Sequence, residues 1–164
     1  MKVKLIVASL VLAISFLTPW IIYTGSESKS GAFTCESNFS LTAFWKNDKS
    51  IPITINADLQ LSFIDNEHGV LAAVGNVERN GHIYLLSRRI NFRTSPNIFN
   101  GMKKITFTKE TAHIADNTPD EIWKIYFLPE SIGVDFYAGS KMLNDNTMLI
   151  NAFYIPYSIC VIPG

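Results

Sequence analysis

Gly69-Val-Leu-Ala-Ala-Val-Gly-Asn-Val-Glu78, Arg79-Asn80-Gly81 and His82-Ile-Tyr-Leu-Leu-Ser-Arg-Arg-Ile-Asn-Phe92 follow one another directly and read as two β-strands around one tight turn. Asn80-Gly81 supplies the two positive-φ positions that a type I′ turn requires, the strongest short-range hairpin signal a sequence carries. In the second arm Tyr84, Leu86, Ile90 and Phe92 fall on one face at period two, and Ser87, Arg89, Asn91 and Arg93 fall on the other. One face is therefore buried and one wet. Arg88 breaks the pattern, standing on the apolar face between Leu86 and Ile90. Two readings stay open for it: an arginine that snorkels or pairs with a carboxylate, or a charged group inside a cavity or an interface.

Working outward toward the N-terminus, Asp58-Leu-Gln-Leu-Ser-Phe-Ile64 alternates in the same way and predicts a half-buried strand. Ile51-Pro-Ile-Thr-Ile55 precedes it, with Pro52 suited to the start or edge of a sheet. Cys35 to Trp45 predicts a first strand. Asp65-Asn-Glu-His-Gly69 is a turn rather than a metal loop, because its polar groups are consecutive whereas calcium loops space theirs at alternate positions. Toward the C-terminus, Thr94-Ser-Pro-Asn-Ile-Phe-Asn-Gly101 has loop composition and Lys103-Lys-Ile-Thr-Phe-Thr108 alternates as a strand. Glu110 to Asn117 is polar and shows no pattern. Thr118-Pro-Asp-Glu121 has the form of a helix start, with Thr118 as cap and Pro119 in the first turn. Ile122 to Leu128 fits a helix or a strand, and a helical turn running into an extended segment is preferred. Val134-Asp-Phe-Tyr137 predicts a short strand, Asn144-Asp-Asn146 a turn, and Ile155 to Ile162 a last strand. The expected fold is mainly β, with α+β as the alternative: an antiparallel, barrel-like or half-barrel domain over residues 35–164 with at most one or two short helices.

The chain has 164 residues, 14 Lys plus Arg and 14 Asp plus Glu, which suits one domain and gives no basic footprint for nucleic acid. Leu5 to Tyr23 is uncharged and apolar, long enough as a helix to cross the roughly 30 Å hydrocarbon core. Lys2 and Lys4 precede it, so residues 1–4 are expected in the cytoplasm, 5–23 as a transmembrane anchor, and everything after Tyr23 outside. A cleaved signal peptide, cut near Thr24-Gly-Ser26, is the alternative. Residues 24–34 have the Gly/Ser-rich composition of a flexible linker. With four residues ahead of the anchor, no DNA-binding segment is expected there. The two cysteines, Cys35 and Cys160, bracket the outward segment. In an oxidising compartment they are expected to form a disulfide closing a loop of about 125 residues, worth roughly 4–5 kcal/mol in the chain-entropy model.

No catalytic pattern is present. His68, His82 and His113 stand apart from one another, and there is no G-x-S-x-G, H-E-x-x-H, phosphate-binding loop or C-x-x-C. The sequence therefore predicts no enzyme, no metal and no cofactor. It does carry 11 Phe, 6 Tyr and 3 Trp. Most of these are ordinary core, but a sheet of six to eight strands so rich in aromatics can enclose a pocket for a lipid-like ligand, or leave an apolar edge for a partner chain.

A short start, one anchor helix, the early cysteine in Phe33-Thr-Cys-Glu-Ser37, the Gly75-Asn-Val-Glu-Arg-Asn-Gly81 turn followed by Tyr84 and Arg88, and a cysteine in the last strand together resemble the FidL-like membrane proteins of enterobacteria. The resemblance spans most of the chain, with diffuse motifs and no catalytic signature. It implies a single-pass inner-membrane protein with a periplasmic domain, a counterpart of the ToxS accessory proteins that stabilise membrane-bound, winged-helix regulators of the ToxR type. Such a domain pairs with the regulator's outward domain, and in some pairs shares a β-barrel that takes up bile salts. Carried over, the hairpin from Gly69 to Phe92 would belong to the shared barrel, with Tyr84, Arg88 and Phe92 as ligand or partner contacts. The alternative is a self-sufficient periplasmic module of lipocalin-like character that binds a lipid or bile salt.

Overall fold

The turn at Asn80-Gly81 takes up the left-handed backbone its residues favour, with φ of 52° and 73°. It joins two strands of a computed structural model that describes residues 32–45, 48–99, 101–152 and 155–163. The anchor expected at 5–23 and most of the linker expected at 24–34 lie outside the described residues. Among the described residues no helix is long and apolar enough to cross a membrane.

Eight strands follow in chain order: β1 (Phe33–Trp45), β2 (Asp48–Phe63), β3 (His68–Arg79), β4 (His82–Phe99), β5 (Met102–Ala112), β6 (Asp135–Met142), β7 (Thr147–Ala152) and β8 (Ile155–Val161). One helix, α1 (Asp120–Tyr126), lies between β5 and β6. Each strand pairs antiparallel with its neighbour in sequence, and β8 returns to β1 to close a barrel. The expectation of a mainly β, antiparallel, barrel-like or half-barrel domain with at most one or two short helices is met among the described residues, and the closed form is the one found.

Period-two alternation sets which residues face inward. Ile53, Ile55, Ala57 and Leu59 on β2, Leu71, Ala73 and Val77 on β3, and Leu86, Ile90 and Phe92 on β4 form one buried cluster with Phe107. Ile122, Trp123 and Phe127 join that cluster from the helical segment and are almost wholly buried. Gly75 allows β2 and β3 to approach closely: a Cβ there would stand 2.1 Å from the Asn56 carbonyl oxygen.

Several expected boundaries shift. Ile51–Ile55 and Asp58–Ile64 are parts of one strand, because Asn56 and Ala57 keep the alternation going and the outward Asn56 and Asp58 side chains bond across to Ser40 and Asn38. The stretch from Thr94 is not a loop. β4 continues through it to Phe99, and a register shift between Thr94 and Ile98 accommodates Pro96, which has no N–H to give the ladder. β5 extends to Ala112, opposite Arg88. Thr118 does not cap the helix. Its hydroxyl donates to the Leu85 carbonyl, Pro119 occupies the capping position, and no side chain caps the first turn. After the helix the chain turns at Phe127 instead of extending, and β6 begins at Asp135.

The closing seam is sparse. Between β1 and β8 the one pair among the described residues is Glu36 with Val161. Two links reinforce it: the disulfide Cys35–Cys160, with Cα atoms 5.4 Å apart across a separation of 125 residues, and the hydrogen bond between the Ser37 and Ser158 hydroxyls at 2.6 Å.

Candidate functional site

The inward residues do not fill the barrel evenly. At the end lined by Leu59, Leu61, Phe63, Leu71 and Phe92, the interior holds a cavity of about 270 Å³, continued on the far wall by Ile105, Phe107, Phe136, Met148 and Ile150. Aromatic rings stiffen this wall: Phe63 meets Phe33 face to face at 4.8 Å and Phe92 edge-on at 5.3 Å, while Phe107 packs on Phe136 at 5.0 Å. Cys160 also lines the cavity, so the disulfide that holds the seam is part of the chamber wall.

Polar groups on this wall are few. Thr94 donates its hydroxyl to the Asn66 carbonyl at 2.6 Å, and Ser37 and Ser158 bond to each other. Tyr157 donates to the Phe127 carbonyl at 2.7 Å. Burial pushes the Tyr157 phenol up to about 12, so it remains a neutral donor. Lys103 sits on the inward face of β5 with Ile105 and Phe107, and is half-buried.

Arg88 lies away from the chamber wall, beside α1, with its guanidinium carbon 5.9 Å from the centre of the Trp123 ring. Its Nε and Nη2 donate to Asp116 Oδ1 at 3.1 and 2.9 Å, and its Nη1 to Asp120 at 2.7 Å and Glu110 at 3.2 Å. Nη2 also donates to the Thr118 carbonyl. Asp116 in turn accepts the Ser87 and Thr118 N–H groups at 2.8 and 3.1 Å. Burial works against the arginine's charge, but the hydrogen bonds it donates to Asp116 and then Asp120 outweigh it and raise its pKa above the ordinary value. The Asp120 carboxyl is held below its ordinary value by its hydrogen bond to Arg88. The cluster fastens the connection from β5 to α1 against β4, which is how Trp123 comes to lie inside the barrel.

Of the three residues singled out on the hairpin, Phe92 lines the chamber, Arg88 is in the ion-pair cluster, and Tyr84 packs on the main core cluster outside the chamber. Sequence reasoning passed over Lys103 and Tyr157. The signal for Lys103 was present, since the alternation that makes β5 a strand puts Lys103 on the same face as Ile105 and Phe107. Tyr157 carries no local signal, because its role depends on a carbonyl 30 residues away. Among the described residues no three His, Cys, Asp or Glu side chains converge as a metal ligand set.

Fold and site define a small up-and-down antiparallel β-barrel with an apolar chamber inside it. Residues 75–160, more than half of the 164-residue chain, match the family described as FidL-like putative membrane protein. The chain belongs to that family. None of the curated proteins matches it.

Proposed function

We propose that the barrel is a membrane-associated binding module whose chamber takes up a small amphipathic molecule. The observation that carries this reading is the 270 Å³ apolar cavity lined mainly by the strands of a single chain. Small antiparallel barrels either fill their interior with side chains or hold one small ligand, and this one leaves room. A ligand bound to the folded state alone raises stability by mass action. The test uses the full-length protein in lipid nanodiscs, heated with and without a series of single-chain amphiphiles. Ala138 lines the chamber and can be replaced by a ring that fills it. A rise in melting temperature in the native protein, absent in Ala138→Phe, is expected. No rise with any amphiphile would remove the reading.

A second reading, an accessory subunit of a membrane-bound ToxR-type regulator in the inner membrane, is favoured by the outer face of the hairpin. Val74, Ile83 and Leu85 are exposed there, beside the fully exposed Ile114. Because the eight strands close on themselves, the regulator's outward domain would dock on this face rather than complete the barrel. Crosslinking in native membranes followed by mass spectrometry distinguishes the readings: it recovers a single-pass protein with a DNA-binding domain only under the second.

A further inference from the structure

We infer that the chamber's ligand is a single acyl chain of medium length ending in one acid group, and that Lys103 at the rim is the residue that meets the acid. This rests on the binding-module reading above and names its ligand class.

Arg88 and Lys103 both stand on inward-facing strand positions, and their surroundings differ. Arg88 is satisfied by three carboxylates and a carbonyl. Lys103 has no acid partner among the described residues, although an acid is close in the sheet: Asp135 on β6 is taken by Lys104 at 3.0 Å and by the Thr106 hydroxyl, both on the outer face of β5. Among the other polar groups of the wall, Ser37 is bonded to Ser158, Thr94 to Asn66 and Tyr157 to Phe127, while Ser140 is exposed to solvent. Lys103 therefore presents an unpaired ammonium beside an aromatic and aliphatic wall. It follows the β4–β5 turn at Gly101, another lining residue, which places it at the rim. A lysine in such a place lays its stem along the apolar wall and keeps its charge at the opening. A molecule that suits both parts has an apolar body and one anionic end, as a charge-assisted hydrogen bond is stronger than a neutral one.

Volume sets the body. At roughly 30 Å³ for each water-sized group, the cavity takes about nine, and a methylene is close to water in size. That is the chain of decanoate, and it is too little for the fused rings of a bile salt.

The experiment compares photoreactive diazirine analogues of decanoate and decanol on the full-length protein in nanodiscs, with the labelled residues mapped by mass spectrometry and unlabelled cholate as competitor. The acid is expected to half-saturate chamber labelling at about a tenth of the alcohol's concentration. Lys103→Ala should remove that difference, Lys103→Arg should restore it, and cholate should not compete. Equal labelling by acid and alcohol, or an undiminished preference in Lys103→Ala, would overturn the role of Lys103 while leaving the chamber reading intact. Competition by cholate would overturn the single-chain assignment. Labelling of the chamber by neither probe would overturn the binding-module reading and this inference with it.

Discussion

Replacing Arg88 by methionine would leave the Asp116 carboxylate, with 1% of its side chain exposed, facing an apolar neighbour instead of a guanidinium. Breaking a buried pair from one side typically costs about 3–5 kcal/mol, so Arg88→Met is expected to lower the urea midpoint accordingly, and Arg88→Met with Asp116→Asn to recover part of the loss. The contribution of Asp120 has a definite sign with pH. Its folded pKa lies below the ordinary aspartate value, so the stabilisation is present above that value and is lost as pH falls through the folded one. Asp120 is 71% exposed, so solvent screens the pair and the effect is small. Urea midpoints of the native protein and Asp120→Asn should differ at neutral pH and converge in acid. The oddness of Arg88 was legible from period two alone. Its partners were not, because Glu110, Asp116 and Asp120 lie 22 to 32 residues further on, the first two in a stretch with no pattern of its own.

Among the elements, β2 and β3 show how much rests on the absence of a side chain. A methyl group on Gly75 would meet the Asn56 carbonyl oxygen at 2.1 Å and the Ala57 Cα at 2.6 Å, both backbone atoms that cannot rotate away. Gly75→Ala must therefore part the two strands. Overpacking of this kind costs about 1–3 kcal/mol, and here it should also speed hydrogen exchange of the amides in the β2–β3 ladder, read by mass spectrometry or NMR. The hairpin that follows Gly75 was legible because its turn residues and its alternation agree. The length of β4 was not. Ser95 and Pro96 read locally as a break, and only the register shift against β5 allows a strand to continue past a proline. The helix was half legible: Thr118-Pro-Asp-Glu121 announced its start, but the Thr118 hydroxyl goes to Leu85, a partner the local sequence does not name.

Across the whole molecule, closure depends on a seam with one described backbone pair, one hydroxyl pair and one disulfide. Removing the disulfide with Cys35→Ser and Cys160→Ser together is expected to cost about 4–5 kcal/mol by the chain-entropy model, measured by denaturant unfolding. Because Cys160 is also wall, the same variant should bind chamber ligands more weakly even where it remains folded. The pairing of the cysteines was legible from their positions at the two ends of the expected β-rich domain. The chamber was legible only as an abundance of aromatics, since which end of the barrel stays open is decided by where α1 sends Trp123. The seam also orders events in time. Every other strand pairing joins neighbours in the sequence and can zip up locally, whereas β1 with β8 must gather the longest loop before it gains anything. Until that last step the interior is an open trough, so a guest molecule can be wrapped into the barrel as it forms instead of entering afterwards past Lys103.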